Sequence, residues 1–283
     1  MKLYIDGEND ISYITNHIKF ELSSVFECDY ILSAKFPWGI DYKDDYVQET
    51  LKSYIKAQNI NKKVLVFLIS DSSSSYEIPE NVYLFRTSLY KTKQQRNEFV
   101  LPFIWDSLLE RDILPFEMTK YPIVGFCGLN NKIRHETMVR LLECEEIAYN
   151  FIIREHFWGG KPNDPELIND YINNIANSHF TLCNRGEGNF SIRFYQVLSA
   201  GRIPVFIDTD MKLPFENEIN WKDISVSAKD NDKLVANILD FYKTKDLDVV
   251  YKECRRIYTE FFSTERYFQI ILSKIESGSY VLD

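Results

Sequence analysis

Short apolar runs alternate along most of the chain with segments whose apolar residues recur at helical spacing. Two runs, Val64–Ile69 and Ile203–Ile207, are apolar almost without interruption, which is typical of strands covered on both faces. Together the runs predict strands at Lys2–Ile5, Tyr30–Ser33, Val64–Ile69, Val82–Phe85, Ile123–Cys127, Ile147–Ile152, Phe180–Cys183 and Ile203–Ile207. The segments between them predict helices at Asp45–Gln58, Arg134–Glu143, Asp164–Asn177, Ser191–Ala200 and Asp230–Tyr242. This alternation predicts an α/β fold with parallel sheets.

The segment Leu101–Tyr121 separates two groups of strand–helix units and carries Pro102 and Pro115, with Pro122 directly after it. We therefore expect an N-terminal Rossmann-like domain over residues 1–105 and a C-terminal one over 120–245, joined by a hinge; the family resemblance described below implies that they face a cleft, with the acceptor on the N-terminal side. Residues 246–283 form a tail with apolar residues at helical spacing. The sequence leaves open whether that helix crosses back to the first domain.

The formal net charge of −9 disfavours nucleic acid or an anionic membrane as the main partner. No apolar stretch approaches the roughly 20 residues that a membrane span needs, and the first residues do not resemble a signal peptide. The five cysteines are scattered and lack C-x-x-C spacing, which favours a reducing compartment. We therefore expect a cytoplasmic protein, and the high content of Lys, Asn, Ile and Tyr suggests a microbial or viral gene.

The stretch from His179 to Pro214 is the most informative part of the chain. It predicts a strand, a glycine-containing loop, a helix beginning near Ser191 and a second strand, and ligands of open α/β sheets bind beyond the carboxyl ends of strands. Gly186 and Gly188 would let backbone N–H groups of the loop through Asn189 approach a phosphate, helped by the positive end of the helix.

Two guanidinium groups, Arg185 and Arg193, are expected to supply most of the grip on a diphosphate through charge-assisted hydrogen bonds. The alternative is a simple tight turn with solvent-facing arginines. A third glycine at G-x-G-x-x-G spacing is missing, so a dinucleotide oxidoreductase is disfavoured.

Two more arginines are candidates for the same ligand. Arg134 follows the Gly125-x-x-Gly128 turn and could reach a phosphate, or it could be a surface residue behind an ordinary turn. Arg154 could line the pocket for a nucleobase or an acceptor sugar.

The donor-side motifs resemble those of exostosin-like glycosyltransferases, glycosyltransferase family 47. Members of that family show C-x-x-G, S-x-R-x-x-E-A, A-G-x-I/V-P-V, an acidic turn, L-P-F and a following Trp. The matching residues here are Cys183, Gly186, Ser191, Arg193, Ala200, Gly201, Pro204, Val205, Asp208, Leu213, Pro214, Phe215 and Trp221. Weaker matches are Leu84–Tyr90 ahead of Asn97 and Glu98, Val124–Gly128 with Arg134, and Asn150–Gly160. The resemblance extends over about residues 64–225 and is strongest over 179–221.

This resemblance implies a GT-B fold, an inverting reaction and a nucleotide-sugar donor in the second domain. The chain departs from the family at Gln196, where a Glu is usual and is thought to bind the ribose hydroxyls. A Gln can accept one such bond and donate another, so donor binding should survive. A non-catalytic nucleotide- or carbohydrate-binding relative stays open as an alternative.

The triplet Asp208-Thr209-Asp210 has the D-x-D spacing that chelates a metal in another class of glycosyltransferase. In a GT-B protein the arginines and the helix end replace the metal, and Thr209 and Asp210 would face the hydroxyls of the donor sugar. We expect no metal and no cofactor besides the UDP-sugar donor. A metal-dependent transferase using Asp208 and Asp210 is the remaining alternative.

An inverting transfer needs a base that removes the proton from the acceptor hydroxyl. Asp71 is the candidate because it follows the strand Val64–Ile69 at its carboxyl end, although such a residue is often a turn or helix cap. Asp6 and Asp41 are the reserves. The sequence thus predicts transfer of a sugar from a UDP-sugar to a hydroxyl of a glycan.

Overall fold

A computed structural model describes residues 1–55, 62–111, 113 and 116–278 of the protein. In these residues the chain forms two sheets in which all paired strands are parallel, which bears out the predicted fold class. The first sheet has the order β2-β1-β3-β4-β5-β6. Its strands are β1 Lys2–Asp6, β2 Glu21–Leu22, β3 Tyr30–Ser33, β4 Lys63–Leu68, β5 Val82–Arg86 and β6 Glu98–Val100.

The second sheet has the order β11-β10-β9-β7-β8. Its strands are β7 Ile123–Leu129, β8 Ala148–Arg154, β9 Phe180–Leu182, β10 Ile203–Ile207 and β11 Val226–Ala228. The α-helices are α1 Ser12–Thr15, α2 Asp44–Ser53, α3 Lys132–Leu142, α4 Pro165–Ala176, α5 Ile192–Ser199, α6 Asn231–Thr244, α7 Leu247–Ile257 and α8 Thr264–Ser277. A π-helical segment, Tyr258–Phe262, joins α7 to α8.

Side-chain caps fix the starts of several helices. Asn131 Oδ1 accepts a hydrogen bond from the backbone N–H of Arg134 at 2.9 Å, which places the beginning of α3 directly after β7. Asp164, Asp230 and Asp246 cap α4, α6 and α7 in the same way. Each of these four helices therefore begins directly after an Asn or Asp residue whose side chain caps it.

Three strands were not expected from the sequence: β2, β6 and β11. Each of these strands is two or three residues long and lies at an edge of its sheet. A strand this short has too few apolar residues to produce a recognisable pattern in the sequence. Helix α2 ends at Ser53, short of the predicted Gln58, and the predicted residues 56–58 lie outside the described ones.

The C-terminal helices return to the first half of the molecule. The Tyr258 hydroxyl donates to the carbonyl of Ile104 at 3.0 Å, and the Tyr267 hydroxyl donates to the carbonyl of Val100 at 2.7 Å. On the same helix, Phe268 packs edge-on against Phe67 of β4 with ring centroids 5.5 Å apart. The tail thus braces the two halves together, which resolves the question that the sequence left open.

The halves also meet directly through an interdomain bridge, formed by residues 88–92 of the first half and 210–212 of the second. Tyr90 and Met211 form an antiparallel β-bridge. The Lys91 N–H donates to the Asp210 carbonyl at 2.9 Å, and the Lys212 N–H donates to the Leu89 carbonyl at 3.1 Å. Among the described residues, none of the helices is both long and apolar enough to cross a membrane.

Candidate active site

The loop between β9 and α5 lies at the carboxyl edge of the second sheet, where ligands of such folds bind. Its anchor is Asn184, whose side chain is fully buried. Asn184 Oδ1 accepts from the Ile207 N–H at 2.7 Å, and its Nδ2 donates to Thr137 Oγ1 at 2.8 Å. Strand β10 and helix α3 therefore fix the start of the loop at Asn184, which precedes the loop glycines in the chain.

Arg193 projects from the first turn of α5 into the end of the sheet and is only 9% exposed. Its guanidinium donates to the carbonyls of Cys127 at 2.7 Å and Leu182 at 3.2 Å. The group lies over the ring of Phe126, 4.5 Å from the centroid. Its buried Nε has no hydrogen-bond partner, and no carboxylate among the described residues forms an ion pair with it.

Arg134 is the neighbour of Arg193. Its Nη1 donates to the carbonyl of Leu129 at 2.7 Å, and its guanidinium lies 5.7 Å from the centroid of the same Phe126 ring. Burial, and next the positive charge of Arg193, lower the pKa of Arg134 to about 10. Two guanidinium groups therefore lie close together, and no carboxylate of the described chain forms an ion pair with either. The charge of Glu187 raises the pKa of Arg134, but less than burial and Arg193 lower it.

Gly128 makes room for Arg193. A Cβ atom added at Gly128 would stand 2.7 Å from Arg193 Nη2, and the φ of Gly128 is +152°, where side chains are strained. A Cβ at Gly186 would make only an ordinary van der Waals contact with Arg134 Nη2, at 3.6 Å. Gly128, at the end of the Gly125-x-x-Gly128 turn, therefore leaves the space that the Arg193 guanidinium occupies.

We expected the Arg185 and Arg193 side chains to point toward the same place, but Arg185 points toward the first half. Its Nη1 donates to the Tyr90 hydroxyl at 3.0 Å, and its other nitrogens bond to the carbonyls of Gly186 and Glu187. In this arrangement Arg193 has Arg134 beside it, while Arg185 reaches across to the first half.

The amides of the glycine loop also face the first half. The Gly188 N–H donates to Asp71 Oδ1 at 3.2 Å, and the Asn189 N–H donates to Ser88 Oγ at 2.8 Å. Ser191 stands at the N-cap of α5 without a side-chain capping bond and is buried. The first half thus occupies the amides of Gly188 and Asn189 in this arrangement, while the Gly186 N–H donates to the Phe190 carbonyl at 3.3 Å within the loop.

Asp71 lies directly opposite the glycine loop. Partial burial of its carboxyl group, in a residue that is otherwise exposed, raises its pKa, and the charges of Asp41 and Glu187 raise it further. The bond from Gly188 and the charge of Arg185 act in the other direction. A Cβ at Gly188 would stand 2.9 Å from the Asp71 Cα, so the two halves touch here as closely as a glycine allows.

The residues expected to hold the ribose and the donor sugar have partners within the protein. The Gln196 side chain is buried, and its Oε1 accepts from the Tyr171 hydroxyl at 2.6 Å. Thr209 Oγ1 donates to Asn189 Oδ1 at 2.7 Å. Asp210, at a φ of +64°, accepts from the backbone and hydroxyl of Thr92.

Two further candidates have structural partners. Arg154 forms an ion pair with Asp170 at 3.3 Å and donates to the Leu167 carbonyl at 3.1 Å, so it is tied to helix α4. Asp208 Oδ1 accepts from the Asp210 N–H at 3.0 Å. In the described part of the chain, no three His, Cys, Asp or Glu residues are grouped as metal ligands would be.

Sequence reasoning did not single out Ser88, Tyr90 and Thr92, which hold Asn189, Arg185 and Asp210 respectively. A weak signal existed, because Ser88 and Tyr90 lie in the segment Leu84–Tyr90 that resembles the family. Beside the N-terminus of α5 the halves leave a small cavity of about 10 Å³, lined among others by Thr87, Ser191 and Lys212.

The model of the Exostosin GT47 domain matches residues 77–240, more than half of the chain. The chain belongs to the exostosin GT47 family. This exostosin-family chain is 36% identical to Exostosin-1 of Drosophila melanogaster over 75 residues, which cover 26% of the chain and 10% of that protein. It is 26% identical over 161 residues to a protein of Arabidopsis thaliana named probable beta-1,4-xylosyltransferase, covering 52% of the chain and 37% of that protein. A probable glucuronosyltransferase of Oryza sativa subsp. japonica is 33% identical over 84 residues, covering 29% of the chain and 20% of that protein.

The exostosin-family chain thus spans well under half the length of these curated relatives. Among solved structures, the lipopolysaccharide outer core galactosyltransferase WaaB in its apo form superposes with a TM-score of 0.54 at 13% identity, covering 97% of the chain and 100% of that structure. At this identity the likeness concerns the fold alone, and it agrees with two parallel-sheet domains arranged as in GT-B proteins.

Proposed function

We propose that this protein is an inverting, metal-independent glycosyltransferase that moves a sugar from a UDP-sugar to a hydroxyl of a glycan. Membership of the exostosin GT47 family and the printed names of its relatives support a sugar transfer. The donor class, the stereochemistry and the independence from metal rest on the arrangement of charges at the carboxyl edge of the second sheet.

The observation that carries the proposal is the pair Arg134 and Arg193. A buried guanidinium without an ion-pair partner costs several kcal/mol, so a protein that keeps the buried Arg193 beside the half-buried Arg134 is expected to bind an anion there. A diphosphate fits, because it offers several oxygens to a pair of guanidinium forks and to the positive end of α5.

In the proposed reaction the acceptor oxygen attacks the anomeric carbon from the face opposite the diphosphate. The new carbon–oxygen bond forms as the bond to the diphosphate oxygen breaks, and UDP leaves with both electrons of that bond. Arg134 and Arg193 stabilise the negative charge that develops on the leaving diphosphate. No metal is needed for this role if both guanidinium groups reach the same phosphates.

Asp71 is the proposed base that takes the proton of the acceptor hydroxyl. It belongs to the first half, faces the glycine loop across the boundary, and has a raised pKa, which makes its carboxylate a better proton acceptor than an ordinary aspartate.

Binding of a nucleotide sugar also requires the halves to separate locally. The cavity of about 10 Å³ has room for about one water molecule, whereas small-molecule sites measure ~300–1,000 Å³. We propose that the donor enters when the contacts of Gly188, Asn189 and the interdomain bridge are released, which also frees the amides of the loop.

Titration of UDP by calorimetry tests the site. Arg193→Gln and Arg134→Gln should each weaken UDP binding by about 10- to 100-fold, the value of one charged hydrogen-bonding group. Arg140→Gln is the matched control, because Arg140 lies on the same helix α3 but pairs with Asp232 on the surface. UDP affinities that are equal in all four proteins would refute the site.

A second experiment tests the chemistry. Asp71→Asn should bind UDP normally yet lose sugar transfer and the slow hydrolysis of a UDP-sugar, both followed by NMR, whereas EDTA should leave the wild-type rates unchanged. Retained turnover in Asp71→Asn would exclude this base, and loss of the rate in EDTA would favour Asp208 and Asp210 as metal ligands.

A non-catalytic nucleotide-binding relative is the second candidate, favoured by the Gln196 side chain bonded to Tyr171. It predicts UDP binding without hydrolysis or transfer, even after prolonged incubation.

A further inference from the structure

The loop that follows β3 presents an aromatic platform at the carboxyl edge of the first sheet. We define the platform as Trp38 with the three rings that hold it: Tyr13, Phe103 and Trp105. Trp38 is 41% exposed although it is a large apolar residue. Its centroid lies 4.8 Å from that of Trp105, 5.3 Å from that of Phe103 and 5.5 Å from that of Tyr13, with interplanar angles of 61° to 89°.

The supporting rings are fixed by hydrogen bonds to the backbone. The Trp105 indole N–H donates to the Tyr13 carbonyl at 2.8 Å, and the Tyr13 hydroxyl donates to the Phe36 carbonyl at 3.0 Å. The loop itself is held by the Tyr42 hydroxyl, which donates to the Pro37 carbonyl at 3.0 Å. Trp38 is therefore an exposed ring on a rigid base, which costs little entropy to use in binding.

After Trp38 the chain turns into open space. Gly39 has a φ of +84°, and a Cβ atom added there would meet no atom within 4 Å. Ile40 is 50% exposed. A core function for Trp38 does not account for this geometry, because 41% of the residue stays exposed while three rings hold it in place.

The platform lies on the same edge of the sheet as Asp71. Strands β3 and β4 are parallel neighbours, and Trp38 and Asp71 follow their carboxyl ends. Asp44 joins the two loops, since its carboxylate accepts from the Ser72 hydroxyl at 2.6 Å and from the Tyr76 hydroxyl at 2.7 Å. Asp41, three residues beyond Trp38, is close enough for its charge to raise the pKa of Asp71.

We infer that the Trp38 platform binds a neutral pyranose ring of the acceptor glycan, an assignment that rests on the proposed transferase function. The apolar C–H face of a pyranose packs on the negative face of an aromatic ring, and the hydroxyls at its rim find acceptors in carboxylates such as Asp41. Those same carboxylates repel a uronate or a phosphate, so the ring bound here carries no charge. Trp38 positions the acceptor so that one of its hydroxyls meets Asp71.

Saturation-transfer NMR with two simple probes tests this assignment. Methyl β-D-xylopyranoside at millimolar concentration should receive saturation from the wild-type protein, and methyl β-D-glucopyranosiduronate should not. Trp38→Leu should weaken xyloside binding about tenfold or more, as loss of an anchoring Trp does, whereas Trp38→Phe should retain most of it. Phe26→Leu is the control, because Phe26 is 77% exposed in the turn that precedes β3, at the other end of that strand.

The outcomes separate this inference from the proposed function. UDP affinity should be unchanged in Trp38→Leu, and thermal unfolding should show that the variant is folded. Xyloside binding that is equal in wild type and Trp38→Leu, or absent from the wild type, overturns the platform even if UDP binds. Equal binding of the glucuronoside overturns the preference for a neutral ring. Failure of UDP to bind, with Trp38-dependent xyloside binding intact, instead removes the transferase function and leaves a carbohydrate-binding site.

Discussion

Each half of the molecule buries an arginine at the carboxyl edge of its sheet, but the two arginines have different surroundings. Arg86, at the end of β5, is 2% exposed and forms an ion pair with the equally buried Glu98 at 2.9 Å. It also donates to the carbonyls of Ser72 and Ser74, in the loop that carries Asp71. Arg193 in the second half has backbone carbonyls and aromatic rings around it, and no described carboxylate pairs with it.

Under the proposed function, this difference distinguishes a structural arginine, Arg86, from a ligand-binding arginine, Arg193. A buried arginine that serves the fold has its counter-charge inside the protein. A buried arginine that binds a ligand receives its counter-charge from the ligand. When the ligand is absent, backbone carbonyl dipoles and the faces of aromatic rings stabilise the guanidinium instead. Substitutions at the two arginines should therefore have opposite consequences for stability and binding.

The largest effect is expected at the structural pair. Arg86→Met leaves the Glu98 carboxylate buried and unpaired, so the free energy of unfolding should fall by about 3–5 kcal/mol. Urea denaturation measures this change. The double variant Arg86→Met/Glu98→Leu should recover much of the loss. If the single and double variants are equally unstable, packing and not the ion pair is what Arg86 provides.

A smaller, pH-dependent effect is expected at His179, a buried group that avoids charge altogether. Its Nδ1 accepts from the Ile123 N–H at 2.9 Å, and burial, followed by the charge of Arg202, lowers its pKa to about 4. Because the unfolded chain takes up this proton near pH 6.5 and the folded one does not, the contribution of His179 to stability is lost as the pH falls from 6.5 to 4. His179→Gln should show a flatter dependence of unfolding free energy on pH in this interval. The exposed His135→Gln should follow the wild type, and a His179→Gln curve that also follows it would contradict the assignment.

The smallest effect on stability is expected at the binding arginine. Arg193→Met removes a desolvated charge and leaves no counter-charge unpaired, although two carbonyls lose their donor. These contributions oppose each other, so the free energy of unfolding should stay within about 1 kcal/mol of the wild type, even though UDP affinity falls. A loss comparable to that of Arg86→Met would mean that Arg193 is a structural residue as well.

The sequence predicts the strands and helices of the molecule better than the directions in which its side chains point. The apolar runs of β4, β7 and β10 and the capping residues of α3 and α4 are local signals, and the corresponding elements lie where they were expected within a few residues. Arg193 was singled out because it follows the glycine loop beside the predicted helix start near Ser191, and this sequence context is also local.

The orientation of Arg185 and the partners of Asp210 could not be predicted in this way. They depend on Tyr90 and Thr92, which lie more than 90 residues away in the chain, and on how the two halves are packed. The closeness of Arg134 to Arg193 likewise requires the register of β7 beside β9, which pairs Val124 with Phe180 and is visible only in the folded sheet.

If the proposed donor site is correct, the bridge of residues 88–92 with 210–212 makes nucleotide recognition and domain motion a single equilibrium. A donor that needs the enclosed space binds only the fraction of molecules whose halves have parted, so its apparent affinity is the intrinsic affinity scaled by that fraction. Substitutions in the bridge, far from any phosphate, would then tune how tightly the nucleotide is held, and natural variants could adjust substrate affinity without altering a residue that touches the substrate.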